Sequence, residues 1–137
     1  MLLTGKTIFV VEDDVRNRAV MMTLMQTQGA KTHFDKWGSH TIEEIRKIGH
    51  VDLIIMDLML PHGITGYDVY EQLQAASDLA QIPVVIVSAS DPNIEMKKAR
   101  AKGFRGFISK PIDHRIFAKI INSILEGQSH WGDDFVA

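Results

Sequence analysis

Short apolar runs separated by amphipathic stretches set the rhythm of this chain. Ile8-Phe9-Val10-Val11 and Leu53-Ile54-Ile55-Met56 are unbroken apolar runs, as expected of parallel strands buried on both faces. With the runs near 82–87 and 104–108 and the polar, alternating Lys31-Thr32-His33-Phe34-Asp35, they predict five strands, at about 6–11, 31–35, 51–56, 82–87 and 104–108. The polar strand belongs at a sheet edge. Helices are predicted between them at about 14–28, 40–48, 65–77, 92–102 and 113–126. Gly29, Gly49, Gly103 and Gly127 stand where these helices should end, each suited to a left-handed cap. Thr65-x-x-Asp68 reads as a capping box, and Asp91-Pro92 as a cap followed by proline in the first turn. In the last helix, Ile116, Ile120, Ile121, Ile124 and Leu125 make one apolar stripe.

Strict alternation of strand and helix with short links predicts an α/β fold, a parallel sheet covered by helices on both faces. Ligands of such open sheets bind beyond the carboxyl ends of the strands. The residues there are chemically loaded. The first strand runs into Glu12-Asp13-Asp14 and the third into Asp57. The fourth is followed by Ser88-Ala89 and the fifth by Ser109-Lys110-Pro111. Three or four carboxylates in one cleft repel unless a cation or proton joins them, and Mg²⁺ is the hard divalent ion that oxygen donors favour. A hydroxyl and a lysine beside them suit phosphoryl oxygens. Asp14 reads as the cap of the first helix rather than a ligand.

Composition narrows the picture without redirecting it. The 137 residues, 45% hydrophobic and 23% charged, fit one globular domain. A net charge of −2 offers no general attraction to nucleic acid or anionic membrane. The chain has no cysteine, hence no disulfide or thiolate metal site. The six histidines show no metal spacing, and His62, although near the cleft, reads as a loop residue. Gly5-Lys6-Thr7 lacks the upstream glycine of a phosphate-binding loop and precedes the first strand instead of following it. No signal segment or membrane span is apparent, so a cytoplasmic location is expected.

Val10-Val11-Glu12-Asp13, Met56-Asp57-Leu58-Met59-Leu60-Pro61, Val87-Ser88-Ala89 and Phe107-Ile108-Ser109-Lys110-Pro111 together resemble the receiver domain of two-component response regulators. The likeness runs from about Lys6 to Leu125. It implies a flavodoxin-like sheet of five strands in the order 2-1-3-4-5, with a receiver domain at 1–127, a short tail at 128–137 and no output domain. By resemblance, Asp57 is the phosphoacceptor. Glu12, Asp13, Asp57 and the Met59 carbonyl hold Mg²⁺, while Ser88, Ala89 and Lys110 bind the phosphoryl group. Ser88 and Phe107 form the switch, and Lys110-Pro111 is a cis peptide. The implied partners are a sensor histidine kinase or histidine phosphotransfer protein and a downstream target protein. The resemblance also admits a phosphorylation-dependent dimer. The signal is expected to leave through the fourth helix, fifth strand and fifth helix.

Three departures from the family pattern stand out: an extra residue within Pro61-His62-Gly63-Ile64-Thr65-Gly66, phenylalanine at 107 in place of the commoner tyrosine, and serine at 88 in place of threonine. Without a hydroxyl, Phe107 is expected to switch by packing alone and to reach an inward position even before phosphorylation. Two rival functions remain. An aspartate-nucleophile phosphohydrolase usually carries a second carboxylate two residues past its nucleophile, where this chain has Met59. A non-phosphorylated interaction domain would have no use for Asp57, Asp13 and Lys110 together.

Overall fold

In the computed structural model, which describes residues 1–132, the apolar runs lie side by side. The strands are β1 (Thr7–Val11), β2 (Lys31–Asp35), β3 (Leu53–Met56), β4 (Val84–Ser88), β5 (Gly106–Ser109) and β6 (His130–Trp131). The helices are α1 (Val15–Thr27), α2 (Thr41–Ile48), α3 (Gly66–Ala75), α4 (Pro92–Lys102) and α5 (Phe117–Leu125). All strands are parallel, in the order β2-β1-β3-β4-β5-β6.

Successive side chains of a strand point to opposite faces, and here both faces are apolar. Phe9, Val11, Ile54, Met56 and Ile86 pack with Ile45, Val69, Leu73 and Ala99 from α2, α3 and α4. Ile8, Val10, Leu53, Ile55, Val85 and Val87 pack with Met21, Met25, Ile120, Ile121 and Ile124 from α1 and α5. That is why the central strands read as continuous apolar runs. β2 is covered less completely and forms one edge, as its alternation predicts, with Phe34 exposed. The Arg18 guanidinium lies 4.1 Å from the centre of the Phe34 ring.

Helix ends follow their sequence signals. Asp14 accepts a hydrogen bond from the Asn17 amide at 2.8 Å, and Asp91 accepts one from the Asn93 amide at 2.9 Å. Thr65 and Asp68 form the reciprocal capping box at the start of α3. Gly29, Gly49, Gly103 and Gly127 all have positive φ.

Two expectations need correction. The sheet has six strands rather than five: after Gly127 the chain turns back, and His130–Trp131 joins the outer edge of β5. A two-residue strand with one large apolar side chain is too short for any periodicity to reveal. The last helix is regular only from Phe117, not 113: the φ of −117° at Ile116 interrupts the run, and the residues ahead of it form a turn in which Asp113 accepts from the Arg115 amide and guanidinium. Among the described residues, no helix is long and apolar enough to cross a membrane.

The capping box ties α3 to the loop that follows β3. Thr65→Ala should therefore lower stability by about 1 kcal/mol in urea unfolding, with an unchanged dependence on denaturant. A loss below about 0.3 kcal/mol would mean that the box does not hold the helix start.

Candidate functional site

Parallel pairing of β1 with β3 sets Val11 beside Met56, so the residues that follow, Glu12 and Asp57, leave the sheet as neighbours. The Asp57 amide continues the ladder by donating to the Val11 carbonyl at 3.0 Å. Asp13 lies one residue further along, exposed to solvent. Carboxylate oxygens of Glu12, Asp13 and Asp57 fall within 4.8 Å of one another. From the end of β5, Lys110 reaches across the cleft. Its Nζ lies 2.6 Å from Glu12 Oε1 and 3.0 Å from Asp57 Oδ2. The Met59 amide donates to Asp57 Oδ1 at 3.3 Å.

Burial makes this crowding costly. Glu12 is 1% exposed and Asp57 7%. Burial pushes the Glu12 carboxyl up to about 7, and the adjacent Asp57 carboxylate pushes the same way. Lys110 opposes both, but one ammonium serves two acids. For Lys110, burial favours the neutral amine; the two carboxylates outweigh it and hold the pKa above the usual lysine value. Glu12 Oε1 is buried without a hydrogen bond of good geometry, despite its short distance to the ammonium. A buried oxygen in that condition, beside two further hard carboxylates, fits a divalent cation such as Mg²⁺. Glu12, Asp13 and Asp57 would hold it.

Neighbouring residues fix this geometry. The Arg18 guanidinium donates to the Glu12 carbonyl at 3.0 Å, and the Asp14 amide donates to Glu12 Oε2 at 3.3 Å. Gly66 lets α3 press against the loop after β3: a Cβ there would lie 2.4 Å from the Asp57 carbonyl oxygen. Asp35, buried at the end of β2, accepts from the Trp37 and His40 amides and the Thr41 hydroxyl. Its own carbonyl receives the Glu12 amide at 3.3 Å. The loop with the extra residue forms one 3₁₀ turn, Pro61–Gly63, in which His62 adopts a left-handed φ of 61° and stacks on Trp37 at 5.2 Å.

Ser88 is buried at the end of β4, and its hydroxyl pairs with the Ser90 hydroxyl at 3.0 Å and the Ser90 amide at 3.1 Å. Ala89 is exposed. The Met59 side chain also faces solvent. Phe107 is wholly buried in the middle of β5, beside Ile86 and Trp131 in the ladder. The Lys110-Pro111 peptide is cis. Arg18, Asp35 and Gly66 were missed as supports of the site. Asp35 had a visible signal, being one more acid at a strand's carboxyl end; nothing local distinguishes Arg18.

Acids thus follow β1 and β3, and a lysine follows β5, all at one end of the sheet. The family model for the response regulator receiver domain matches residues 8–124. The chain belongs to the response regulator receiver family. This receiver is 32% identical to the polar-differentiation response regulator DivK of Brucella ovis over 120 residues, 88% of this chain and 96% of that protein. The structure of the chemotaxis response regulator CheY4 of Vibrio cholerae superposes with a TM-score of 0.78 at 20% identity, covering 88% of this receiver and 99% of that chain. A sensor protein from Polaromonas sp. JS666 reaches a TM-score of 0.81 at 18% identity, covering 90% and 98%. At those identities the two structures speak for the fold alone.

Without metal, the folded receiver holds the Glu12 proton up to about pH 7, whereas an unfolded chain releases it near 4.5. In that window the folded state binds more protons than the unfolded state, so Glu12 makes stability fall as pH rises. Urea unfolding in chelator from pH 4.5 to 7.5 should show the wild type losing stability relative to Glu12→Gln. Parallel curves would contradict the crowded, buried carboxyl.

Proposed function

We propose that this receiver accepts a phosphoryl group on Asp57 from a phosphohistidine of a sensor kinase or phosphotransfer protein. The observation that carries the reading is the Asp57 carboxylate, held by Lys110 at 3.0 Å with the oxygens of Glu12 and Asp13 close beside it. In the reaction an Asp57 carboxylate oxygen attacks phosphorus, and a P–O bond forms as the P–N bond to the imidazole breaks. The electron pair stays on the imidazole nitrogen, which takes up a proton. The barrier is largely electrostatic, since a carboxylate approaches an anionic phosphoryl group. Mg²⁺, when bound, neutralises charge on the phosphoryl oxygens.

The chain's own residues do the rest. Asp57 is positioned by its Met59 amide contact, so little orientation is lost on reaction. Lys110 passes from Asp57 Oδ2 to a phosphoryl oxygen, and the Ser88 hydroxyl exchanges its Ser90 partner for another such oxygen. Acyl phosphate adds charge of about −1.5 to −2 and three acceptor oxygens, which draws both groups inward. Because Lys110 and Ser88 terminate β5 and β4, the change passes to the surface of α4, β5 and α5, where a downstream protein binds. The domain catalyses only its own phosphorylation and dephosphorylation. Its place of action is the cytoplasm, its partners are proteins rather than nucleic acid, and a dimer formed on phosphorylation is compatible with the same surface.

Acetyl phosphate with Mg²⁺, read by intact mass, should add one phosphoryl group to the wild type. Asp57→Asn should gain none, and excess chelator should abolish labelling of the wild type. A phosphorylated Asp57→Asn protein, or labelling indifferent to chelator, would overturn the proposal.

A further inference from the structure

In a five-stranded receiver sheet, β5 would be an edge strand with unpaired backbone groups facing the gap between α4 and α5. Here that edge is filled. The His130 amide donates to the Arg105 carbonyl at 3.0 Å, and the ladder pairs Gly106 with His130 and Phe107 with Trp131. Trp131 is 9% exposed and shares an apolar cluster with Ala99, Phe104 and Phe107. Arg100 of α4 lies over its ring at 5.5 Å. Next in line, Gly132 is so close to α4 that a Cβ would lie 3.1 Å from Met96 Cε.

The receiving strand is shaped for this segment. Gly106 sits within β5 without the positive φ that would itself call for glycine. What requires glycine is the neighbour: a Cβ at 106 would lie 2.6 Å from the His130 carbonyl oxygen. α4 adds charge: Lys97 and Arg100 are exposed, Arg100 being the one over the Trp131 ring, while Lys98 and Lys102 turn to the Tyr67 ring of α3. In the sequence, Trp131 is followed closely by Asp133 and Asp134.

We propose that the outer edge of β5 is a site for an extended peptide segment bearing an aromatic anchor with acidic neighbours, and that residues 128–132 are its resident occupant. The output partner binds by adding a strand to β5 and placing an aromatic side chain where Trp131 now stands. It reaches Phe107 only after the resident segment leaves. Two paired residues make a short, easily opened strand, so exchange is accessible from the folded state. The proposal rests on α4, β5 and α5 being the output face, and it names the chemistry of what docks there.

Two full-chain variants test it from opposite sides. Trp131→Ala removes the anchor, while Gly106→Ala fills the seat. The probe is a fluorescein-labelled peptide copying residues 126–137, followed by anisotropy without Mg²⁺ or phosphoryl donor. Both variants should raise exchange of the His130 amide by about tenfold or more while amides of β1 and β3 keep their protection. The peptide should bind Trp131→Ala at least about tenfold more tightly than wild type. Gly106→Ala should bind it no better than wild type does. Unchanged His130 exchange in both variants, equal affinity of wild type and Trp131→Ala, or tight binding by Gly106→Ala would each overturn the proposal. None of these outcomes bears on phosphorylation of Asp57, which is read separately by mass.

Discussion

Everything at this site depends on bringing like charges together at the edge of a parallel sheet. β1 and β3 are neighbours in register, so the acids after them emerge side by side. Burial of Glu12 and Asp57 strips away the water that would otherwise screen them. One ammonium, from Lys110, stands between the two. A single positive charge cannot fully compensate three carboxylates, and the remainder falls on Glu12, which holds its proton far above the ordinary range. The resting site is therefore short of cations by construction. Under the proposed function, that shortage is what a divalent metal ion and a shift of Lys110 would act on.

The same constraint accounts for the supporting residues. Arg18 grips the Glu12 carbonyl rather than its carboxylate, fixing the loop without satisfying the charge. Asp35 turns its own charge away, toward the amides of the next loop and the Thr41 hydroxyl. Gly66 brings the start of α3 against the Asp57 backbone, so Asp57 has little freedom to swing out of the cleft. At the other side, the Lys110 amide donates to the Ser88 carbonyl at 2.9 Å. That bond ties the end of β4 to the residue that follows β5.

Most of the fold was legible in the sequence because it is written in long, repeated signals. Apolar runs such as Leu53 to Met56 mark central strands, and Gly103 or the Thr65–Asp68 pair mark helix ends. The acids and the lysine of the site were legible for the same reason: each directly follows a recognisable strand. What escaped depends on contacts far apart in sequence. β6 is defined only by its pairing with β5, and a lone Trp131 near the end of the chain carries no period to betray it. Gly106 looks like a weakness in a strand until His130 is seen beside it. The turn ahead of α5, where Ile116 departs from helical φ, lies inside a stretch whose pattern reads as continuous helix.

The central claim is that Asp57 is the carboxylate that carries the phosphoryl group. Borohydride reduces an acyl phosphate at the carbonyl carbon, so treating freshly phosphorylated wild-type protein converts the modified aspartate to homoserine. Peptide mapping by mass spectrometry should then find homoserine at position 57, with Glu12 and Asp13 intact. Homoserine at position 13, or reduction of Glu12 with position 57 still aspartate, would contradict the account.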